Sequence, residues 1–174
     1  MESAQSRHVA RQPLYTKEER ARRDQSRWTL VQGILAPVQF LAFAVSAFLV
    51  LRYLAVGEGY LAATVSIVIK TMLLYTIMIT GAIWEKDVFG CYLFARPFFW
   101  EDAVSMIVIA LHTAYLAALV TGWLGAREQM LLALAAYLTY VINAAQFVYK
   151  LRAARLDRAT APGAPGGGAL GYAE

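Results

Sequence analysis

Residues 61–84, LAATVSIVIKTMLLYTIMITGAIW, decide the fold. Across this stretch the only charge is Lys70, and the apolar residues are continuous rather than alternating. A bilayer-crossing helix needs about 20 such residues and satisfies its own backbone hydrogen bonds in lipid, so the stretch reads as a spanning helix and not as a barrel strand. Three further runs of the same kind occupy residues 29–54, 101–124 and 129–151. With 59% hydrophobic residues and a mean hydropathy of +0.48, the chain of 174 residues is expected to be all-α, an integral membrane four-helix bundle.

The flanks divide the chain into a basic arm (residues 1–28), the four-span domain (29–155) and a tail rich in Pro, Gly and Ala (156–174) that is expected to be disordered. In the arm, Thr16-Lys17-Glu18-Glu19 forms a capping box. The pairs Glu18/Arg22 and Glu19/Arg23 stand four residues apart, so a short surface helix should lead into the membrane. The arm is polar and the first apolar run is too long for a signal-peptide core, so no cleaved signal is expected. Pro37 lies inside the first span, where it removes the bond to the Gly33 carbonyl and predicts a kink.

Thirteen of the sixteen Lys and Arg residues fall in the arm, the second-to-third connection (Lys86, Arg96) and the C-terminal stretch from Lys150 to Arg158. Only Arg52 and Arg127 fall on the opposite side, and Lys70 lies within the membrane. This asymmetry predicts that both termini and the second-to-third connection are cytoplasmic. The net charge of +4 is then a topology signal, aided by membrane lipid, and no nucleic-acid partner is expected. Cys91 is the single cysteine, so no internal disulfide can form, and a cytoplasmic position suits a reduced thiol.

Polar residues within the spans repeat at helical spacing: Gln32, Gln39 and Ser46 in the first, Thr71, Tyr75 and Glu85 in the second, Glu101, Ser105, His112 and Tyr115 in the third, and Thr139, Asn143, Gln146 and Lys150 in the fourth. Each helix thus has one polar face that should turn into the bundle, as interhelical glue or as the lining of a cavity. Counted at about 1.5 Å per residue from the non-cytoplasmic ends, Lys70 lies roughly 13 Å in, His112 and Tyr140 roughly 17 Å, and Gln39, Tyr75 and Asn143 roughly 21 Å. Lys70 either snorkels to the non-cytoplasmic interface or serves a site. His112, at such depth, needs a hydrogen-bond partner or a metal, and no second His or Cys is placed to complete a protein metal site.

The second polar group is the connection itself, residues 84–102, WEKDVFGCYLFARPFFWED. Glu85 closes one span while Glu101 and Asp102 open the next, so the three carboxyls should meet at one end of neighbouring antiparallel helices. One reading is ordinary, with Glu101 and Asp102 at a helix N-terminus and Glu85 paired to Lys86 or Arg96. The other rests on seven aromatic residues in the same segment, Phe99 and Trp100 among them. Rings that exclude water from a carboxyl favour its protonated form, which is what a general acid requires.

The segments WTLVQGILAPVQF, TGAIWEKDVFGCYLFARPFFWEDAVSM, ALHTAYLAAL and AAYLTYVINAAQFVYKLR resemble the 3-vinyl bacteriochlorophyllide hydratase family of bacteriochlorophyll biosynthesis, over residues 13–155. The likeness is specific, because WEKDVFG followed by FFWED on a four-span chain is not a generic apolar pattern. One departure is Ala95-Arg96-Pro97, where the family pattern is Ala-Pro-Ala-like, so the resemblance carries no role to Arg96.

The resemblance implies addition of water across the vinyl group of a chlorophyllide-type magnesium tetrapyrrole, giving a 1-hydroxyethyl group. It also implies a bacterial inner or intracytoplasmic photosynthetic membrane, with other enzymes of the pathway as partners. One general acid and one positioned water suffice for the chemistry. No redox cofactor and no protein-held metal are expected, and no GxGxxG, P-loop or paired CxxC motif occurs. Glu101 is the expected acid, with Glu85 or Asp102 positioning water. His112 is expected at the substrate's magnesium or keto group, Lys86 or Arg96 at its propionate, and Phe99, Trp100 and Asn143 around the macrocycle. Two readings of other classes stay open: a non-catalytic pigment carrier or assembly factor in which His112 ligates magnesium and the carboxyls are structural, and a small proton-coupled transporter using Lys70 and His112.

Overall fold

A computed structural model of the chain describes residues 14–159, with side chains through residue 153. All regular structure among these residues is helical. A short helix α1 (Lys17–Gln25) precedes four long ones, α2 (Arg27–Val56), α3 (Tyr60–Phe89), α4 (Phe99–Thr121) and α5 (Ala126–Ala159). Each of the four long helices is long and apolar enough to cross a membrane. The stretches before residue 14 and after residue 159 lie outside the described residues, and with them most of the tail expected to be disordered; residues 156–159 of it belong to α5.

The expected capping box forms: Thr16 Oγ1 accepts from the Glu19 amide at 3.1 Å, and Glu19 Oε2 accepts from the Thr16 amide at 2.8 Å. The cap occupies Glu19, and Arg23 turns to Asp24 at 2.5 Å instead of pairing four residues back. Helix α2 runs without interruption through Pro37.

Helices α2 and α3 form one tightly packed pair and α4 and α5 another. The pairs meet mainly through α2 and α5, while α3 and α4 approach more loosely. Three apolar clusters stack along the bundle axis. One contains Val50, Ala63, Ile67, Tyr115, Met130 and Tyr137; the middle one contains Leu74, Val108 and Tyr140; and the third gathers Tyr15, Val88 and Phe98 at the end where α3 and α4 join. Leu30, Phe40, Val45, Leu61, Val120 and Leu138 are exposed, as suits surfaces that face lipid.

On the first three spans the polar faces turn inward as their spacing predicts, with Gln39, Ser46, Thr71, Glu85, Glu101, Ser105, His112 and Tyr115 buried, whereas Gln32, Tyr75 and the fourth span's Thr139, Asn143, Gln146 and Lys150 are only half-buried. Ser46 bridges to Ser66 at 2.8 Å and to the Tyr137 hydroxyl at 2.5 Å, tying α2, α3 and α5 together. The helix ends differ from the apolar limits. Gly90 and Gly122 adopt left-handed backbone (φ 84° and 67°) that stops α3 and α4, so α3 continues past Trp84 to Phe89 and α4 ends before Trp123.

Candidate active site

The third cluster of the bundle holds the carboxyls. Because α3 extends a further turn beyond Glu85, that side chain points into the bundle, where it meets Asp102 from the first turn of α4. Glu85 and Asp102 lie side by side, each bound by one of two successive amides of the connection, and two adjacent buried carboxyls cannot both carry charge without a large penalty. Both are buried, at 5% and 3% exposure.

The 90–98 connection covers the pair and supplies two successive backbone donors. The Phe94 amide donates to Asp102 Oδ2 at 2.7 Å, and the Ala95 amide donates to Glu85 Oε2 at 3.2 Å. Phe94 takes φ 60°, a costly backbone conformation for a bulky residue, and it aims the two N–H groups at the carboxyls.

Glu101 has a different setting. Its Oε2 pairs with Lys150 Nζ of α5 at 2.5 Å, and the same ammonium donates to the Pro97 carbonyl of the connection. The ion pair with Lys150 is therefore the direct contact of Glu101, the residue expected to act as the acid. Asn143, also expected at the macrocycle, is tied down: its amide donates to the Glu101 carbonyl at 2.8 Å and its oxygen lies 3.2 Å from Ser105 Oγ. Lys150 sat on a polar face in the sequence, but nothing there named Glu101 as its partner. The Phe94 and Ala95 amides had no side-chain signal at all.

The remaining candidates lie elsewhere. Lys86 donates to the Gly90 carbonyl at 2.9 Å and its ammonium lies 5.4 Å from the Tyr92 ring centre, so it caps α3 rather than pairing with Glu85. Arg96 is exposed. Phe99 and Trp100 stack edge to face at 5.5 Å on the outside of the bundle, where Trp100 is 71% exposed. They therefore do not wall the carboxyls. The rings that do pack at this end are Trp84, Phe89, Phe98, Phe147 and Tyr15. The Trp84 indole also donates to Thr29 at 2.9 Å and so fixes the start of α2.

His112 stands apart from the carboxyls, near the middle of the bundle. Its Nδ1 donates to the Val108 carbonyl at 2.7 Å, which leaves Nε2 to accept from Lys70 Nζ at 2.6 Å. Both ring nitrogens are engaged, so neither is free to ligate magnesium in this arrangement. Lys70 does not snorkel: it is fully buried and lies 4.2 Å from the Tyr140 ring centre and 5.0 Å from that of Tyr137.

Fold and site together define a four-span helical membrane protein with a buried pair of carboxyls beneath the connection at one end of the bundle. A family model described as 2-vinyl bacteriochlorophyllide hydratase (BCHF) matches residues 15–153, and the chain belongs to that family. The chain is 73% identical to the 2-vinyl bacteriochlorophyllide hydratase of Cereibacter sphaeroides over 144 residues, covering 83% of this chain and 89% of that one. It is 69% identical to the protein of the same name from Rhodobacter capsulatus over 151 residues, covering 87% and 88%. No solved structure matches it.

Proposed function

We infer that the chain is a membrane hydratase of bacteriochlorophyll biosynthesis, adding water across the vinyl group of a bacteriochlorophyllide-type macrocycle to give the 1-hydroxyethyl derivative. Membership of the hydratase family and high identity over most of the chain support the reaction.

The observation that carries the residue assignment is that adjacent amides of the connection bind Glu85 and Asp102 side by side while Glu101 is held by Lys150. The proton retained by the pair passes to the terminal vinyl carbon. The resulting cation, on the carbon attached to the ring, is delocalised into the macrocycle, and water adds there. The proton released by that water returns to the vacated carboxyl pair, so one water is consumed and the pair is regenerated. The Phe94 and Ala95 amides stabilise the pair when it carries negative charge. Glu101 and Lys150 position the first turn of α4 and the connection. Lys86 and Arg96, exposed at this end, meet whatever polar edge of the macrocycle stays at the membrane surface, and Phe99 and Trp100 dock the macrocycle face from the lipid side.

Both termini and the 90–98 connection are cytoplasmic in this reading, in a bacterial inner or intracytoplasmic membrane, with 1–28 as the basic arm and 29–155 as the spanning domain. Purified Glu85→Gln and Asp102→Asn proteins should accumulate vinyl substrate, with rates down by at least about 10²-fold. Glu101→Gln should retain more activity than either. Undiminished hydration by both Glu85→Gln and Asp102→Asn would refute the assignment.

A further inference from the structure

The carboxyl end leaves unused a second polar level in the middle of the bundle. Lys70 from α3 and His112 from α4 meet across the seam where those two helices are most loosely apposed, and a Tyr75–Thr113 bond of 2.7 Å joins the exposed side of the same seam. The Lys70 amino group spends one hydrogen-bond direction on His112. Its other near neighbours are the faces of Tyr137 and Tyr140, which offer no oxygen acceptor in line with the remaining N–H groups. No carboxylate pairs with it among the described residues. An intramembrane amino group in such a setting is costly to maintain unless something uses it.

A second, independent observation lies close in depth. Gln39 of α2 is 2% exposed, and neither its Nε2 nor its Oε1 has a hydrogen-bond partner among the described residues. It sits about 18 Å into α2 from Arg27, and His112 about 20 Å into α4 from Phe99. Between this level and the carboxyl pair lies an apolar cluster, Leu74, Val108 and Tyr140 with Ile77, Met78 and Ile109 packed against it. The two polar levels are about 15 Å apart, from the ten residues that separate Asp102 and His112.

A flat apolar ligand with polar groups at opposite edges matches that order of polar, apolar and polar layers. We propose that Lys70 is a substrate-binding residue of the hydratase, donating from the midplane to a peripheral oxygen of the macrocycle, while the vinyl-bearing edge reaches Glu85 and Asp102. His112 is the positioning residue that holds the amino group, and Gln39 supplies further hydrogen bonding at the same edge. The inference rests on the hydratase reading. The shared ligand chemistry is an oxygen acceptor, and it has two sources on the substrate, a ring keto group or the propionate carboxylate.

The test is a binding titration of the full chain in detergent, wild type and Lys70→Met, with vinyl bacteriochlorophyllide, its propionate methyl ester and a keto-reduced analogue. Wild type should bind the parent compound about tenfold more tightly than one of the two analogues, and Lys70→Met should lose about that factor for the parent while matching wild type on that analogue. Loss of the difference with the ester identifies the carboxylate, and loss with the keto-reduced compound identifies the keto oxygen. Met fills the lysine volume without a buried amino group, so the variant should fold, with a Tm equal to or above that of wild type.

Equal affinity of wild type and Lys70→Met for all three compounds overturns the proposal, as does a drop in Tm with unchanged binding. Uniform weakening across all three compounds overturns it as well. If Lys70→Met does not fold, wild type alone decides: indifference to both modifications overturns the proposal, and discrimination that Gln39→Leu abolishes supports it. Wild-type protein that binds none of the compounds would bring down the hydratase reading itself, which separates the two failures.

Discussion

Lys150 joins three elements with one amino group: it rises from α5, pairs with Glu101 on α4 and donates to the Pro97 carbonyl of the connection. Removing it strands a carboxylate that is only 5% exposed, which costs more than the pair itself is worth. Lys150→Met should therefore destabilise by about 1–3 kcal/mol, toward the low end because the lysine is a quarter exposed. Adding Glu101→Gln should restore part of the loss, since the stranded charge disappears. Unfolding in mixed micelles followed by circular dichroism measures both, and strictly additive losses would show that the two groups do not act as a pair. Phe94 gives a second test at this scale. Its φ of 60° is tolerated by glycine and opposed by a β-branched side chain, so Phe94→Gly should be neutral or stabilising by up to about 1 kcal/mol. Phe94→Val should lower stability in the same assay.

At the scale of elements, the bundle is held by hydrogen bonds that cross between helix pairs. The Tyr137 hydroxyl reaches Ser46 and thereby links α5 to α2, and Ser46 reaches Ser66 on α3. Tyr137→Phe keeps the ring and removes only that bond, and interhelical bonds of this kind are worth about 0.6–1.7 kcal/mol. A loss in that range is expected on unfolding, and an unchanged stability would mean that Ser46 and Ser66 satisfy each other without help.

The four helices were legible in the sequence because a run of about 20 apolar residues has no other stable form in lipid. Their inner faces were legible because Gln32, Gln39 and Ser46 recur every seven residues. The ends were less so, since hydropathy stops at Trp84 while the backbone bonds of α3 continue until left-handed Gly90. Side-chain partners were least legible. Lys70 and His112 stood at similar depth, yet whether Lys70 turned outward to snorkel or inward depended on the tyrosine faces of α5, seventy residues away in the chain. Glu101 looked equivalent to Glu85 and Asp102, and only the packing of α5 against α4 brought Lys150 to it.

At the scale of the whole molecule, the carboxyl pair, the connection, α1 and the end of α5 share one side of the bundle, and that side carries most of the basic residues. The retention of Lys and Arg on the cytoplasmic side predicts which side of the membrane the chemistry occupies. Cys91 offers a native reporter. It is the single cysteine in the chain, it lies in the connection above the carboxyl pair, and it is partly exposed. A membrane-impermeant maleimide should label it in inside-out vesicles and leave it unlabelled in right-side-out spheroplasts. The reciprocal probe is Glu58→Cys in a Cys91→Ser background, which places a thiol in the exposed turn between α2 and α3. Its labelling should show the opposite pattern. Labelling of Cys91 only from the outer face would invert the bundle and put the carboxyl pair on the non-cytoplasmic side. Labelling of both positions from the same face would mean that α3 does not cross the membrane, because these two sites are separated by that helix alone.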